Sequence, residues 1–118
     1  MYINKTNERD YGSELVARDL IAQNDTIVAT TDIGYGIDDY VVSPNGNFAA
    51  IWEVAPPPQS VRLSGGRSRV ISTAVNDSSK RNTLYDENTL APVHYPVAVL
   101  NNGDVFTDRF LPNTNAGW

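Results

Sequence analysis

Cysteine is absent from this chain of 118 residues, methionine occurs once, and His94 is the single histidine. Without thiols there are neither disulfides nor thiolate metal sites. One imidazole needs a second ligand or a well-placed carboxylate before it can hold a metal or move a proton, and no recognisable spacing supplies one. Positive charge is short as well: nine Lys and Arg face 14 Asp and Glu, giving a net charge of −5 and a pI near 4.6. That balance favours solubility and repels nucleic acid at long range. Long apolar runs are missing, since no stretch approaches the ~18–20 residues of a membrane-spanning helix. The opening residues Met1–Glu8 carry no apolar core of a signal peptide, so secretion by that route is not expected.

What is present reads as β-structure. Leu is scarce while Val, Ile and Thr are plentiful. Asn is frequent, and Asn suits turns and left-handed backbone positions. Asn101-Asn102-Gly103-Asp104 separates Val97–Leu100 from Val105-Phe106, and Pro44-Asn45-Gly46-Asn47 separates Tyr40–Ser43 from Phe48–Val54. Asn-Gly between β-prone runs predicts tight hairpins. Phe48, Ala50, Trp52 and Val54 alternate with Ala49 and Ile51, so this strand is apolar on both faces and is expected to be central. Ala55-Pro56-Pro57-Pro58 ends it. A further pair is expected from Ser60–Leu63 and Arg69–Val75 around Ser64-Gly65-Gly66.

Two segments are less regular. Residues 13–24 predict the only short helix, capped by Ser13 with Leu15, Val16, Leu20 and Ile21 as its stripe, although a short strand pair fits the same residues. Residues 76–92 are polar enough to read as a long loop. Together these features predict a single all-β domain over residues 13–111. It is an antiparallel β-sandwich or small barrel of about seven short strands. An extended arm at residues 1–12 and a tail at 112–118 flank it.

No motif names a reaction, and an enzyme is not expected. His94 reads as a strand-edge histidine, and Asp38-Asp39 and Asp86-Glu87 read as solvated loop charge. No cofactor or metal is expected. Ser64-Gly65-Gly66-Arg67-Ser68-Arg69, with Arg62, combines exposed backbone amides and guanidinium forks that suit an acidic partner surface, but lacks the phosphate-loop spacing. Trp118 ends a polar tail, and Tyr2 and Tyr11 sit in the polar arm. Isolated aromatics on polar termini suit a subunit that laces onto its neighbours.

In its cysteine-free β composition, its Asn- and Gly-rich turns and its two arm-like termini, the chain resembles small bacteriophage virion proteins, particularly capsid decoration or cement proteins. The resemblance implies a structural subunit on the capsid surface. Such a subunit docks on the major capsid protein or other virion subunits, often as a trimer, and contacts neither nucleic acid nor membrane. Tyr2, Tyr11, Arg62, Arg67, Arg69 and Trp118 are the candidate partner-binding residues. Minor tail and head–tail joining proteins share the style. A carbohydrate-binding β-sandwich is the alternative, with Tyr35, Tyr40, Trp52 and Tyr85 as stacking platforms.

Overall fold

A computed structural model describes residues 2–7, 12–32, 34–56 and 65–111. Their strands are β1 (Tyr2–Asn7), β2 (Gly12–Asp19), β3 (Asn24–Thr30), β4 (Gly36–Val42) and β5 (Phe48–Ala55), followed by β6 (Arg67–Ala74), β7 (Asp77–Asn88), β8 (Val93–Val99) and β9 (Val105–Phe110). Each pairs antiparallel with its sequence neighbour within three sheets, β1-β2-β3, β4-β5-β6-β7 and β8-β9. The expectation of an antiparallel all-β chain is met.

The four-stranded sheet is the middle layer, and the alternation of β5 explains why. Ala49 and Ile51 join Ile37 and Ile71 against Leu15, Val28 and Ala29 of the first sheet. The intervening residues Phe48 and Trp52 face the β8–β9 hairpin: Trp52 packs on Tyr95 and Phe110, and Phe48 lies under Gly103. β2 lies against β4, and β3 against β6 and β7, while β8 lies against all four strands of the middle sheet. A strand walled by apolar layers on both sides must be apolar on both sides.

Both Asn-Gly turns form as expected. In the β4–β5 turn the Gly46 N–H donates to the Ser43 carbonyl (2.9 Å), and Asn45 Oδ1 accepts from the Asn47 N–H (3.1 Å). In the β8–β9 turn the Gly103 N–H donates to the Leu100 carbonyl (2.9 Å). Gly103 has φ +93°, and a Cβ there would stand 3.2 Å from the Phe48 ring. Glycine therefore serves both the turn and its seat on the middle sheet. The two turns are also tied together, because Asn45 donates its N–H to Asn101 Oδ1 (2.8 Å) and its side-chain amide to the Asn101 carbonyl (3.3 Å).

Three expectations need correction. Residues 13–24 form no helix: they lie in β2, a turn and the start of β3, with Leu15 and Val16 buried but Leu20 and Ile21 exposed. The arm contains β1, which pairs with β2 from Tyr2↔Val16 to Asn7↔Gly12. The polar stretch after Val75 is not a loop but β7, with 12 residues the longest strand described. It reads as polar because it flanks β6 on one side only and leaves many side chains open. Of the expected pairing around Ser64-Gly65-Gly66, Ser60–Leu63 lie outside the described residues, and β6 pairs with β5 and β7.

Candidate functional site

Glu53, fully buried in β5, sits on the same face as Ile51 and continues the first core with a charge. Arg81 of β7 answers it: its Nη2 donates to Glu53 Oε1 (3.0 Å) and its Nη1 to the Thr30 carbonyl (2.9 Å). One guanidinium thus joins β3, β5 and β7. Arg69 of β6 donates to Asp32 Oδ2 (2.9 Å), lies over the Tyr35 ring at 3.7 Å and approaches Glu53 Oε2 at 3.9 Å. Arg67 binds Asp86 Oδ1 (2.7 Å), whose other oxygen is 3.6 Å from Arg69 Nε. Glu53 Oε2 and Arg69 Nε are buried without a hydrogen bond. The arrangement is a charged seam between the first two sheets, and it explains why a charge is tolerated there: burial demands a partner.

The seam should give stability a two-limbed pH profile. Burial pushes the Glu53 carboxyl above its ordinary 4.5, against the pull of Arg81 and Arg69. Burial, reinforced by the Asp39 charge, likewise raises Asp38. A carboxyl raised in the fold binds its proton more tightly there than in the unfolded chain, so stability grows as pH falls toward the ordinary value. Asp32 works oppositely: the Arg69 hydrogen bond holds it below 3.8, so its contribution is lost as pH falls through the folded value. The unfolding temperature should therefore rise from neutral pH toward 4.5 and drop below 3.8. Thermal melts across pH check this, and Glu53→Gln should shorten the first limb.

On the opposite face of the middle sheet, His94 Nδ1 lies 3.0 Å from both Glu87 oxygens, and its ring stacks on Tyr85 at 3.7 Å. The His94 N–H also donates to Glu87 Oε1 (2.8 Å). The histidine thus has the carboxylate partner that spacing did not reveal, because the turn after β7 folds His94 of β8 back beside Glu87. Among the described residues no group of three or more His, Cys, Asp or Glu is placed to hold a metal.

The outer hairpin carries the most conspicuous apolar surface. Trp52, Tyr95 and Phe110 form one edge-packed aromatic cluster, with Trp52 Nε1 donating to Ser68 Oγ (2.7 Å). Beyond it Phe106 and Leu111 are 58% and 62% exposed. Phe106 and Phe110 share one side of β9 by the alternation of a strand. Among the described strands β9 has a neighbour on one side only, β8. A second apolar point is the β2–β3 turn, where Ile21 is 98% exposed.

The sequence-predicted residues fare unequally. Arg67 and Arg69 are brought together on β6, and carboxylates of the same chain hold both. Tyr2 lies in β1, where only the backbone is described, and Tyr11, Arg62 and Trp118 lie outside the described residues. Tyr35 is covered by Arg69, Tyr85 by His94, and Tyr40 packs against the first core, so these three of the expected stacking platforms are engaged internally, and the fourth is too. Trp52 is held in the aromatic cluster. The exposed edge of β9 is not singled out by the sequence, because Asp108 interrupts the apolar face between Phe106 and Phe110.

Against known protein families, curated proteins and solved structures, the chain has no match. Its reading rests on its own geometry.

Proposed function

We propose that the chain is a non-enzymatic structural protein of a virus particle, of the capsid decoration or cement type, that docks on the major capsid protein. The observation that supports this most is the outer strand β9: Phe106, Phe110 and Leu111 are exposed beside a sheet edge that has no further strand among those described. Such an edge offers main-chain hydrogen bonds to an incoming strand, while its side chains offer apolar anchors. A contact of ~800 Å² per partner built on a few such anchors gives stable binding.

The test is occupancy on virus particles stripped of the chain. Phe106→Asp places a charge on an already exposed position, so the fold should persist by circular dichroism. Occupancy should fall at least tenfold, a loss of about 1.4 kcal/mol. Undiminished occupancy would remove β9 from the interface. Binding confined to the tail would instead place the protein among minor tail or head–tail joining subunits.

A further inference from the structure

Where the two Asn-Gly turns meet, the middle sheet and the outer hairpin enclose a groove of about 260 Å³. Phe48, Ser72, Lys80 and Asn82 line one side, and Asn102 and Asp104 of the β8–β9 turn line the other. Ser72 and Asn82 are cross-strand partners on β6 and β7, so their side chains emerge together. The two walls differ in how they are held. On the turn, Asn102 Nδ2 donates to Asp104 Oδ2 (3.1 Å) and the Asp104 N–H donates to Asn102 Oδ1 (3.0 Å), which fixes both side chains. The Asn45–Asn101 hydrogen bonds and the seating of Gly103 on Phe48 fix the turn itself. On the sheet, the Lys80 ammonium acts on the Asp77 carboxylate, and no side-chain hydrogen bond engages the Ser72 hydroxyl or the Asn82 amide among the described residues. Elsewhere on this sheet Arg67, Arg69, Arg81, Glu53 and Asp86 engage one another. Uncommitted donors and acceptors therefore collect at one concavity, opposite a rigid wall.

We infer that this groove binds a single sugar ring of a neutral glycan. The chemistry matches part by part. A pyranose presents a C–H face to an aromatic ring and a rim of hydroxyls that both donate and accept. Phe48 supplies ring surface beside the seated Gly103, the Asn82 amide supplies a paired donor and acceptor, Lys80 donates, and the Asp104 carboxylate accepts. At about 260 Å³ the groove lies below the ~300–1,000 Å³ of sites for drug-sized molecules, which limits the ligand to a single ring. The pre-ordered turn wall lowers the cost of ordering on binding. This site is separate from the β9 edge and does not depend on the docking reading.

The experiment is affinity electrophoresis of the full chain through gels containing galactomannan, mixed-linkage β-glucan or xylan. Retardation on at least one is expected. Asn82→Ala and Lys80→Met alter exposed side chains of β7, and each should weaken that retardation about tenfold, with unchanged far-ultraviolet circular dichroism. Arg18→Gln, on β2, should leave it unaltered. Free mobility on all three polysaccharides would overturn the inference. So would retardation that Asn82→Ala and Lys80→Met leave intact, since binding would then lie elsewhere. Neither outcome bears on Phe106→Asp and particle occupancy, so the two readings fail independently.

Discussion

Arg81→Met should lower the stability of the protein by about 3 kcal/mol, because it leaves the buried Glu53 carboxylate without the one cation that hydrogen-bonds it. The figure belongs at the lower end for a broken buried pair, since the Arg81 side chain is 28% exposed and partly screened by water. The Thr30 carbonyl loses its donor in the same change, which adds to the effect. In the variant Glu53 should take up its proton at a higher pH than in the wild type, since one of the two cations that hold it down is gone. The double variant Glu53→Met with Arg81→Met should recover most of the loss, because two apolar side chains replace a pair that was costly to desolvate. Urea titration reads both: the midpoint of Arg81→Met should fall with an unchanged slope. Equal stability of Arg81→Met and wild type would mean that the pair does not hold the first two sheets together.

Trp52→Ala should cost a comparable or larger amount, about 3–5 kcal/mol, by a different route. The indole fills the contact between the middle sheet and the outer hairpin, where Tyr95 and Phe110 meet it at 5.9 and 5.8 Å between ring centroids. Its removal leaves a cavity and strips the buried Ser68 hydroxyl of its donor. Near-ultraviolet circular dichroism should lose the signal of the packed aromatic cluster, while the far-ultraviolet spectrum keeps its β character. Trp52→Phe, which retains a ring but not the N–H, should fall between the two. If Trp52→Ala unfolds at the wild-type urea midpoint, the hairpin is held by Val93 and Val99 rather than by the indole.

Which parts were legible in the sequence follows from how local each signal is. The hairpins at Asn45-Gly46 and Asn102-Gly103 were readable because Asn-Gly meets the backbone demands of a tight turn within a few residues. The central place of β5 was readable because alternation is also local. Residues 13–24 misled because Leu15, Val16, Leu20 and Ile21 satisfy a helical stripe as well as they satisfy strands. Pairing with β1 and β3 decides the matter, and such pairing overrides propensity. The charged seam was illegible for a related reason. Glu53 lies on β5, Arg69 on β6, and Arg81 and Asp86 on β7; the ladder between these strands places them side by side, and Asp32, just past β3, joins them through Arg69. Arg67 and Arg69 were noticed, but the carboxylates that engage them are 19 and 37 residues away. The groove beside Phe48 is likewise built across β5, β6, β7 and the β8–β9 turn.

The double-sided β5 also bears on misfolding. A slip of one residue against β4 and β6 would turn every side chain to the opposite face. Glu53 would then enter the aromatic layer beneath Tyr95 and Phe110, far from Arg81, and Trp52 would be driven into the space now filled by Ile51 between Leu15 and Ile71. Each error is penalised by a different layer: one strands a charge, the other overfills a close-packed core. A strand that served only one layer would be policed once. This one is proofread from both sides, so its alignment is set by packing as well as by the turn that precedes it.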